Sequence, residues 1–214
     1  MAYAVLNEDG STYTIYIQGP GKIIANENSA NLFSGFTQLQ SIEGLEYLDT
    51  SYVTDMRRMF DNCKKLISLD LSTFNISNVT NMMSMFSDCS SLTSLKLDDF
   101  DTSKVTDMNN MFKNCEKLIN LDLSSFDTSM VINMSYMFQN CSSLKNIILS
   151  SFNTLHATHM TSMFEGCSSL VKLDLSSFNM ENVLYTSNMF FGCQNLTEID
   201  FKNGSLTYEE FLTQ

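Results

Sequence analysis

Six cysteines are the residues of this chain whose type and spacing most invite a chemical role. Six thiols could form disulfides or bind a metal. Each cysteine lies 26 residues after the previous one: Cys63, Cys89, Cys115, Cys141, Cys167 and Cys193. If the repeats stack regularly, the six side chains point the same way, which disfavours disulfide geometry, and the chain has no Cys-x-x-Cys pair. We therefore predict reduced, buried thiols and no cysteine metal site.

The fifteen methionines suggest either copper binding or core packing. Eleven of them recur with the same period, in the sets Met56, Met82, Met108, Met134, Met160 and Met59, Met85, Met111, Met137, Met163, Met189. Such regularity favours core packing. Met130 lies outside both sets, at a variable position occupied elsewhere by Tyr52, Asn78, Lys104 and His156. We expect that position to face solvent.

The acidic residues Asp98, Asp99, Asp101 and Asp107 raise the question of calcium, but they lack the spacing of a known calcium loop. The position of Asp101 in the repeat is occupied elsewhere by Asp127, Asn75, Asn153 and Asn179. Asp and Asn both accept hydrogen bonds from turn backbone groups, so a turn role explains the preference without a metal.

The two histidines, His156 and His159, have no evident third ligand to complete a metal site. A nucleophile beside a base and a glycine-rich phosphate loop are also not recognisable. We therefore predict that the protein is not an enzyme and has no cofactor.

These residues belong to a repeat of 26 residues, in which a Met-Phe pair precedes each cysteine and a leucine follows it. After that leucine, polar and apolar residues alternate; in the first repeat Leu69 and Leu71 would point inward and Asp70 and Ser72 outward. This alternation predicts a half-buried strand. A second phenylalanine then recurs at Phe74, Phe100, Phe126, Phe152 and Phe178.

Beyond that phenylalanine the spacing changes to steps of three and four, which predicts a short helix. Ser77 and Ser103 are its candidate N-caps. The apolar face of this helix in one repeat is Val79, Met82, Met85, Phe86 and Cys89.

We therefore predict an α/β, leucine-rich-repeat-like solenoid of about six repeats, with a parallel sheet on one face and short helices on the other. Residues 1–31 would form an N-terminal β-hairpin cap turning at Glu8-Asp9-Gly10, residues 32–201 the solenoid and residues 202–214 a C-terminal cap. Phe36 takes the cysteine position of a degenerate first unit, and one extra residue is inserted near Tyr47.

The composition limits the classes of partner. A hydrophobic content of 43% excludes a disordered chain. The net charge of −12 argues against nucleic acid and anionic membrane surfaces, and is compatible with a cationic partner. No apolar run is long enough for membrane insertion.

The series Phe100-Asp-Thr-Ser, Val105-Thr-x-Met, Met111-Phe-x-x-Cys and Leu118-x-x-Leu-x-Leu resembles the repeat of BspA-like leucine-rich-repeat surface proteins, and is similar to that of mycoplasma-type surface lipoproteins. The resemblance covers roughly Leu32 to Phe201. It implies a solenoid at the bacterial cell surface, or secreted, that functions in adhesion or host-protein contact. It implies no catalytic residue.

The outer face of the predicted sheet is the candidate binding surface for a protein partner. Simple solvation of outward strand positions is the alternative. Ile148 is the one apolar residue of the central set, which reads Asp70, Lys96, Asp122, Ile148, Asp174 and Asp200.

Two functions remain open. The first is a surface adhesion or host-interaction module. The second is an intracellular scaffold or inhibitor that binds one protein, because the chain shows no secretory signal and a cytoplasmic location therefore remains an alternative.

Overall fold

The computed structural model describes residues 1–201 and 204–206. The chain winds into a solenoid of about seven turns, and single β-bridges join the same position of successive turns from Asn28 to Tyr185. The predicted solenoid is thus confirmed. The C-terminal cap predicted at residues 202–214 lies outside the described residues, except for the strand Gly204–Leu206.

The N-terminal residues form the predicted hairpin. Strand β1 (Ala2–Leu6) pairs antiparallel with β2 (Tyr13–Ile17). The Asp9 carboxylate organises the turn by accepting the N–H groups of Ser11 and Thr12 at 2.8 Å. Ile15 and Ile17 of β2 are buried against the first turn of the solenoid.

The next strands connect the hairpin to the repeats. They are β3 (Ile23–Ile24), β4 (Leu39–Glu43), which pairs in parallel with β2, and β5 (Leu48–Asp49), which pairs in parallel with β3. A 3-10 helix, Leu45–Tyr47, lies between β4 and β5 and accommodates the inserted residue predicted near Tyr47. Gly44 precedes it with φ of +87°, and a Cβ there would collide with the carbonyl oxygen of Ile17.

Each later repeat contributes one short strand: β6 (Ser68–Asp70), β7 (Ser94–Lys96), β8 (Asn120–Asp122), β9 (Asn146–Ile148), β10 (Lys172–Leu175) and β11 (Glu198–Phe201). A final strand, β12 (Gly204–Leu206), pairs antiparallel with β11. As predicted, Leu69 and Leu71 are buried and Asp70 is exposed.

The repeat strands are joined in parallel doublets: β6 with β7, β8 with β9, and β10 with β11. Among the described residues, no strand hydrogen bonds link β7 to β8 or β9 to β10. At those two interruptions phenylalanine rings stack instead, Phe100 on Phe126 at 6.1 Å and Phe152 on Phe178 at 5.9 Å between centroids. Strand pairing and ring stacking therefore alternate along the stack.

The predicted helical face is wrong. The 3-10 helix Leu45–Tyr47 is the only helix in the described part of the chain, which contains no helix long and apolar enough to cross a membrane. Each Met-Phe segment has two residues with positive φ, a conformation that costs non-glycine residues roughly 1–2 kcal/mol and does not continue an α-helix. The first set is Arg58, Ser84, Asn110, Tyr136, Ser162 and Asn188; the second is Asn62, Asp88, Asn114, Asn140, Gly166 and Gly192.

The hydrogen bonds of these segments run between turns. The N–H of Met56 donates to the carbonyl of Asn81 at 3.1 Å, and that of Phe60 to Met85 at 2.9 Å. The intervening N–H groups close short local turns, as Met59 does to the carbonyl of Met56 at 3.2 Å. Half of the backbone donors thus hold neighbouring turns together, where a helix would satisfy all of them internally.

The three- and four-residue spacing of apolar residues does not distinguish a helix from these segments, because a series of three-residue turns also places every third residue on one side. The residues of the predicted apolar face are all fully buried, so their burial is confirmed although their conformation is not: Val79, Met82, Met85, Phe86 and Cys89. Ser77 and Ser103 are not N-caps; their N–H groups donate to the side chains of Asn75 and Asp101, both at 3.1 Å.

Equivalent side chains stack into rows through the core. In the longest row, successive rings stack with centroids 5.3–5.7 Å apart, through Phe33, Phe60, Phe86, Phe112, Phe138, Phe164 and Phe190. Buried threonines link neighbouring turns on another side: the Thr128 hydroxyl donates to the Asn153 carbonyl and accepts the Asn153 N–H. The core is therefore a set of continuous rows with polar links between turns.

We predict that Phe126→Ala lowers the free energy of unfolding by about 3–5 kcal/mol, because it leaves a cavity in the second phenylalanine row. Urea denaturation followed by circular dichroism measures this. The matched control is Ile132→Ala, whose side chain is exposed and whose loss should change stability by less than about 0.5 kcal/mol. Equal effects of the two variants would contradict the assignment of this row to the core.

Asp99 interrupts a regular link near the start of the array. Ser125, Ser151 and Ser177 occupy its position in later repeats, and each donates its hydroxyl to a carbonyl of the preceding turn at 3.0–3.1 Å. A carboxylate side chain accepts hydrogen bonds and cannot replace the serine hydroxyl as donor, and the backbone of Asp99 takes a φ of +59°.

We predict that Asp99→Ser raises the free energy of unfolding by about 1 kcal/mol by adding this hydrogen bond, because the serines at this position in later repeats have no positive φ and reach the carbonyl. The matched control is Asp98→Ser, an exposed neighbour without such a carbonyl partner, whose lost surface ion pair with Lys96 should lower stability by less than about 1 kcal/mol. Urea melts of both variants measure the difference; destabilisation by Asp99→Ser would show that the serine link has no energetic value.

Candidate functional site

The cysteines carry no reactive site. All six are unpaired and buried, as predicted. Each Sγ–H donates to the carbonyl of a phenylalanine in the preceding turn, at 3.0–3.2 Å. Burial raises the pKa of the Cys141 thiol to about 12, so the thiolate is scarce at neutral pH. The thiols connect turns and fill the core.

The residues considered for metal binding perform other tasks. In the described part of the chain, no three His, Cys, Asp or Glu side chains converge as a metal site would require. Asp101 accepts the Ser103 N–H at 3.1 Å, in the turn role predicted for its position. His156 lies with Nδ1 2.7 Å from the Ser129 carbonyl oxygen, and the ring of His159 stacks on Tyr185 at 4.5 Å between centroids.

The six candidate residues lie together in one row on the outer face of the sheet. Strand register places Asp70 beside Lys96, Asp122 beside Ile148, and Asp174 beside Asp200. All are exposed except Asp200, which is half-buried. We call this row, together with the described residues two positions before and after each of its members, the sheet face.

The sheet face is predominantly acidic. Its central row carries four carboxylates and one ammonium, a net charge of −3. Lys96 lies 3.5 Å from both Asp70 and Asp98, and Lys172 pairs with Glu198. Asp122 and Asp174 form no ion pair within the described residues, so these two carboxylates are available to a partner.

Three of these carboxylates also support the local backbone. Asp70, Asp122 and Asp174 each accept the N–H of the serine two residues later at 2.9 Å. Hydrogen bonds from the side chain and N–H of Ser124 lower the pKa of Asp122, and those from Ser176 lower the pKa of Asp174. Both groups are therefore charged at neutral pH.

A second row of exposed residues was missed by sequence reasoning. Ile67, Ile119 and Val171 lie just before β6, β8 and β10 and are 44%, 45% and 51% exposed. In the other repeats the same position holds Thr93, Lys145 and Thr197. The signal was present in the 26-residue spacing, but an apolar residue beside a strand is equally compatible with burial.

Two cavities open on the sheet face, one at each interruption of the sheet. The smaller, of about 320 Å³, lies between β7 and β8 beside Lys96 and Asp122. The larger, of about 830 Å³, lies between β9 and β10, with Ile147, Ile148 and Val171 among its lining residues. The variable position of Met130, predicted to face solvent, is exposed on another side of the solenoid.

The sequence matches one family model. Its description is "Mycoplasma protein of unknown function, DUF285", and it matches residues 27–148 and 116–205. No curated protein matches the chain.

The solved structures that match this chain include leucine-rich-repeat proteins. A leucine rich cell surface protein from Faecalibacterium prausnitzii is 22% identical with a TM-score of 0.57; the match covers 94% of this chain and 54% of that one. A leucine-rich-repeat protein of T. pallidum is 16% identical (TM-score 0.41, coverage 91% and 87%), and one from Bacteroides ovatus is 15% identical (TM-score 0.40, coverage 94% and 69%). This chain spans about half of the F. prausnitzii chain, whose likeness identifies the fold.

We predict that the thiols do not react with Ellman's reagent in the native chain, because they are buried and carry raised pKa values. After denaturation without reductant, all six should react. Ser94→Cys, which places a thiol at an exposed position, is the positive control and should react in the folded protein within minutes. Rapid reaction of the unaltered native chain, or fewer than six thiols after unfolding, would contradict the buried row.

Proposed function

Since this chain belongs to the DUF285 family of mycoplasma proteins of unknown function, we propose that it is a non-catalytic repeat module that binds a protein partner through its sheet face. The family match confirms the sequence resemblance to the BspA-like, mycoplasma-type repeat. In this proposal residues 32–201 form the binding solenoid and residues 1–31 cap it.

The observation that carries the proposal is the contrast between the outward and the inward residues of the strands. Inward positions repeat leucine or isoleucine. The outward row instead combines Asp122 and Asp174, which form no ion pair among the described residues, with Ile148, which is 46% exposed. Asp122 and Asp174 flank Ile148 in the row. An apolar centre surrounded by a polar rim is the usual arrangement of a protein-binding surface.

We further propose that the partner lies outside the cell and that the module functions in adhesion or host-protein contact. The F. prausnitzii protein of similar fold is described as a cell surface protein, which supports this location by analogy. The alternative, an intracellular scaffold or inhibitor, predicts a bacterial partner, so the source of the partner distinguishes the two.

A photo-crosslinking experiment tests the proposal. Benzoylphenylalanine is placed in the full chain at Ser150, on the sheet face, or at Met130, an exposed residue on another side that serves as the matched control. Each protein is irradiated with a membrane extract of animal cells and, separately, with a bacterial lysate. We expect a discrete crosslinked band from Ser150 with the animal-cell extract and none from Met130.

The double variant Asp122→Asn, Asp174→Asn should reduce that band at least threefold. Asparagine keeps the Oδ1 acceptor for the serine N–H and removes the charge, so the turns should remain intact and binding should weaken. Equal labelling from both positions, or a band unaffected by the double variant, would contradict binding through this face. A band obtained only with the bacterial lysate would favour the intracellular alternative.

A further inference from the structure

The groove between β9 and β10 lies at one of the two interruptions of the strand ladder, and its cavity is the larger of the two. The central residues of β8 and β10, Leu121 and Leu173, are buried at 3% and 2% exposure, whereas Ile147 of β9 is only partly buried. With Ile148 and Val171 it gives the cavity of about 830 Å³ an apolar floor. We call this cavity the β9–β10 groove.

Charge is arranged around that floor. Lys145 and Lys172 lie where β9 and β10 begin, and Lys172 is already neutralised by Glu198. Toward the strand ends, Ile148 lies between Asp122 and Asp174 of the adjacent turns, and neither carboxylate has an ion-pair partner among the described residues. The strand ends therefore present an apolar side chain between two uncompensated negative charges.

This combination fits a long basic side chain. The aliphatic stem of lysine or arginine packs on an apolar surface while its charged head reaches a carboxylate. Asp122 is the registered neighbour of Ile148 on β8, at the roughly 4.8 Å spacing of paired strands, and Asp174 lines the same cavity as Ile148 across the open side. A stem lying on Ile148 therefore has a carboxylate on either side. An acidic side chain placed here would be repelled by both.

A second contact lies near the start of β10. Val171 comes just before this strand and lines the same cavity as Ile148 and Asp174. Alternate side chains of an extended segment lie about 7 Å apart on one face, so a residue two before the basic one reaches the Val171 end of the groove. That contact is apolar, because Val171 is 51% exposed.

We infer that the β9–β10 groove binds an extended segment with the pattern apolar-x-basic, its basic side chain lying over Ile148 between Asp122 and Asp174. This inference rests on the proposed function, because it names the part of the protein partner that the sheet face recognises. The apolar residue packs on Val171. The groove therefore selects the bound segment by the charge of one residue at one end and by the apolar side chain of another residue at the other end.

Titration of the full 15N-labelled chain with short peptides tests the inference. The probe is acetyl-Ser-Thr-Leu-Thr-Arg-Thr-Ser-amide, and the matched peptides replace Arg with Glu or Leu with Ser. We expect saturable shifts confined to the amides of residues 122, 145–148 and 171–174, with a dissociation constant in roughly the millimolar range that a peptide of this size permits. The Glu peptide should produce none, and the Ser peptide should bind at least threefold more weakly.

Two variants locate the contact. Ile148→Ser should weaken binding of the Arg peptide at least threefold, and Asp174→Asn should do the same while keeping its turn hydrogen bond. Ile67→Ser, an equally exposed apolar residue far along the stack, should leave the affinity unchanged.

Shifts spread over every acidic residue, equal binding of the Glu peptide, or indifference to Ile148→Ser would overturn the inference. If Ser150 crosslinks a partner but the Arg peptide does not bind, the groove assignment fails and the proposed function stands. If the peptide binds the groove as expected but no partner crosslinks to the sheet face, the proposed function fails alone.

Discussion

Hydrogen bonding between successive turns is the constraint on which the rest of this structure depends. Each turn must present donors and acceptors at the level where the next turn needs them, and backbone N–H groups such as those of Met56 and Phe60 are paired only across turns. Cysteine thiols and threonine hydroxyls obey the same rule. A strict 26-residue period follows, because one extra residue would displace every link; the single insertion, near Tyr47, is absorbed in a 3-10 helix.

This constraint also explains the residues that stand at positive φ. Four of the six residues in the second set are Asn or Asp, which tolerate that conformation better than most side chains. Their side chains contribute as well: Asn140 donates to Asn114, and Asn114 to Asp88. Glycine follows at Gly166, where a Cβ would collide with the amide oxygen of Asn140. In this second set, the conformation is thus supported by a side-chain ladder from Asp88 to Asn140 and by glycine in the last two repeats.

The sequence was sufficient for the period, the buried rows, the N-terminal hairpin and the Asp/Asn turns, because each of these is a local or strictly repeated signal. The helical face was wrong because a three-residue apolar step is common to helices and to chains of short turns. The row from Asn62 to Gly192 was the signal that distinguished them, since Asn, Asp and Gly recur there and are poor helix formers. The sequence does not show which neighbouring turns pair their strands, so the two interruptions of the sheet could not be predicted. The partial exposure of Ile147 and the β9–β10 groove follow from these interruptions.

The residue types on the sheet face are the least restricted by the hydrogen bonding between turns, because their side chains face solvent. Asp70, Asp122 and Asp174 still perform a backbone task there, since each accepts the N–H of a following serine. Ile148 occupies the same position and cannot accept that bond, so the turn at Ser150 loses a stabilising contact while an apolar side chain is exposed to water. Local stability would favour Asp or Asn at this position. The departure from the repeat coincides with the larger cavity, and the binding role that we propose for Ile148 gives this exposed apolar side chain a function.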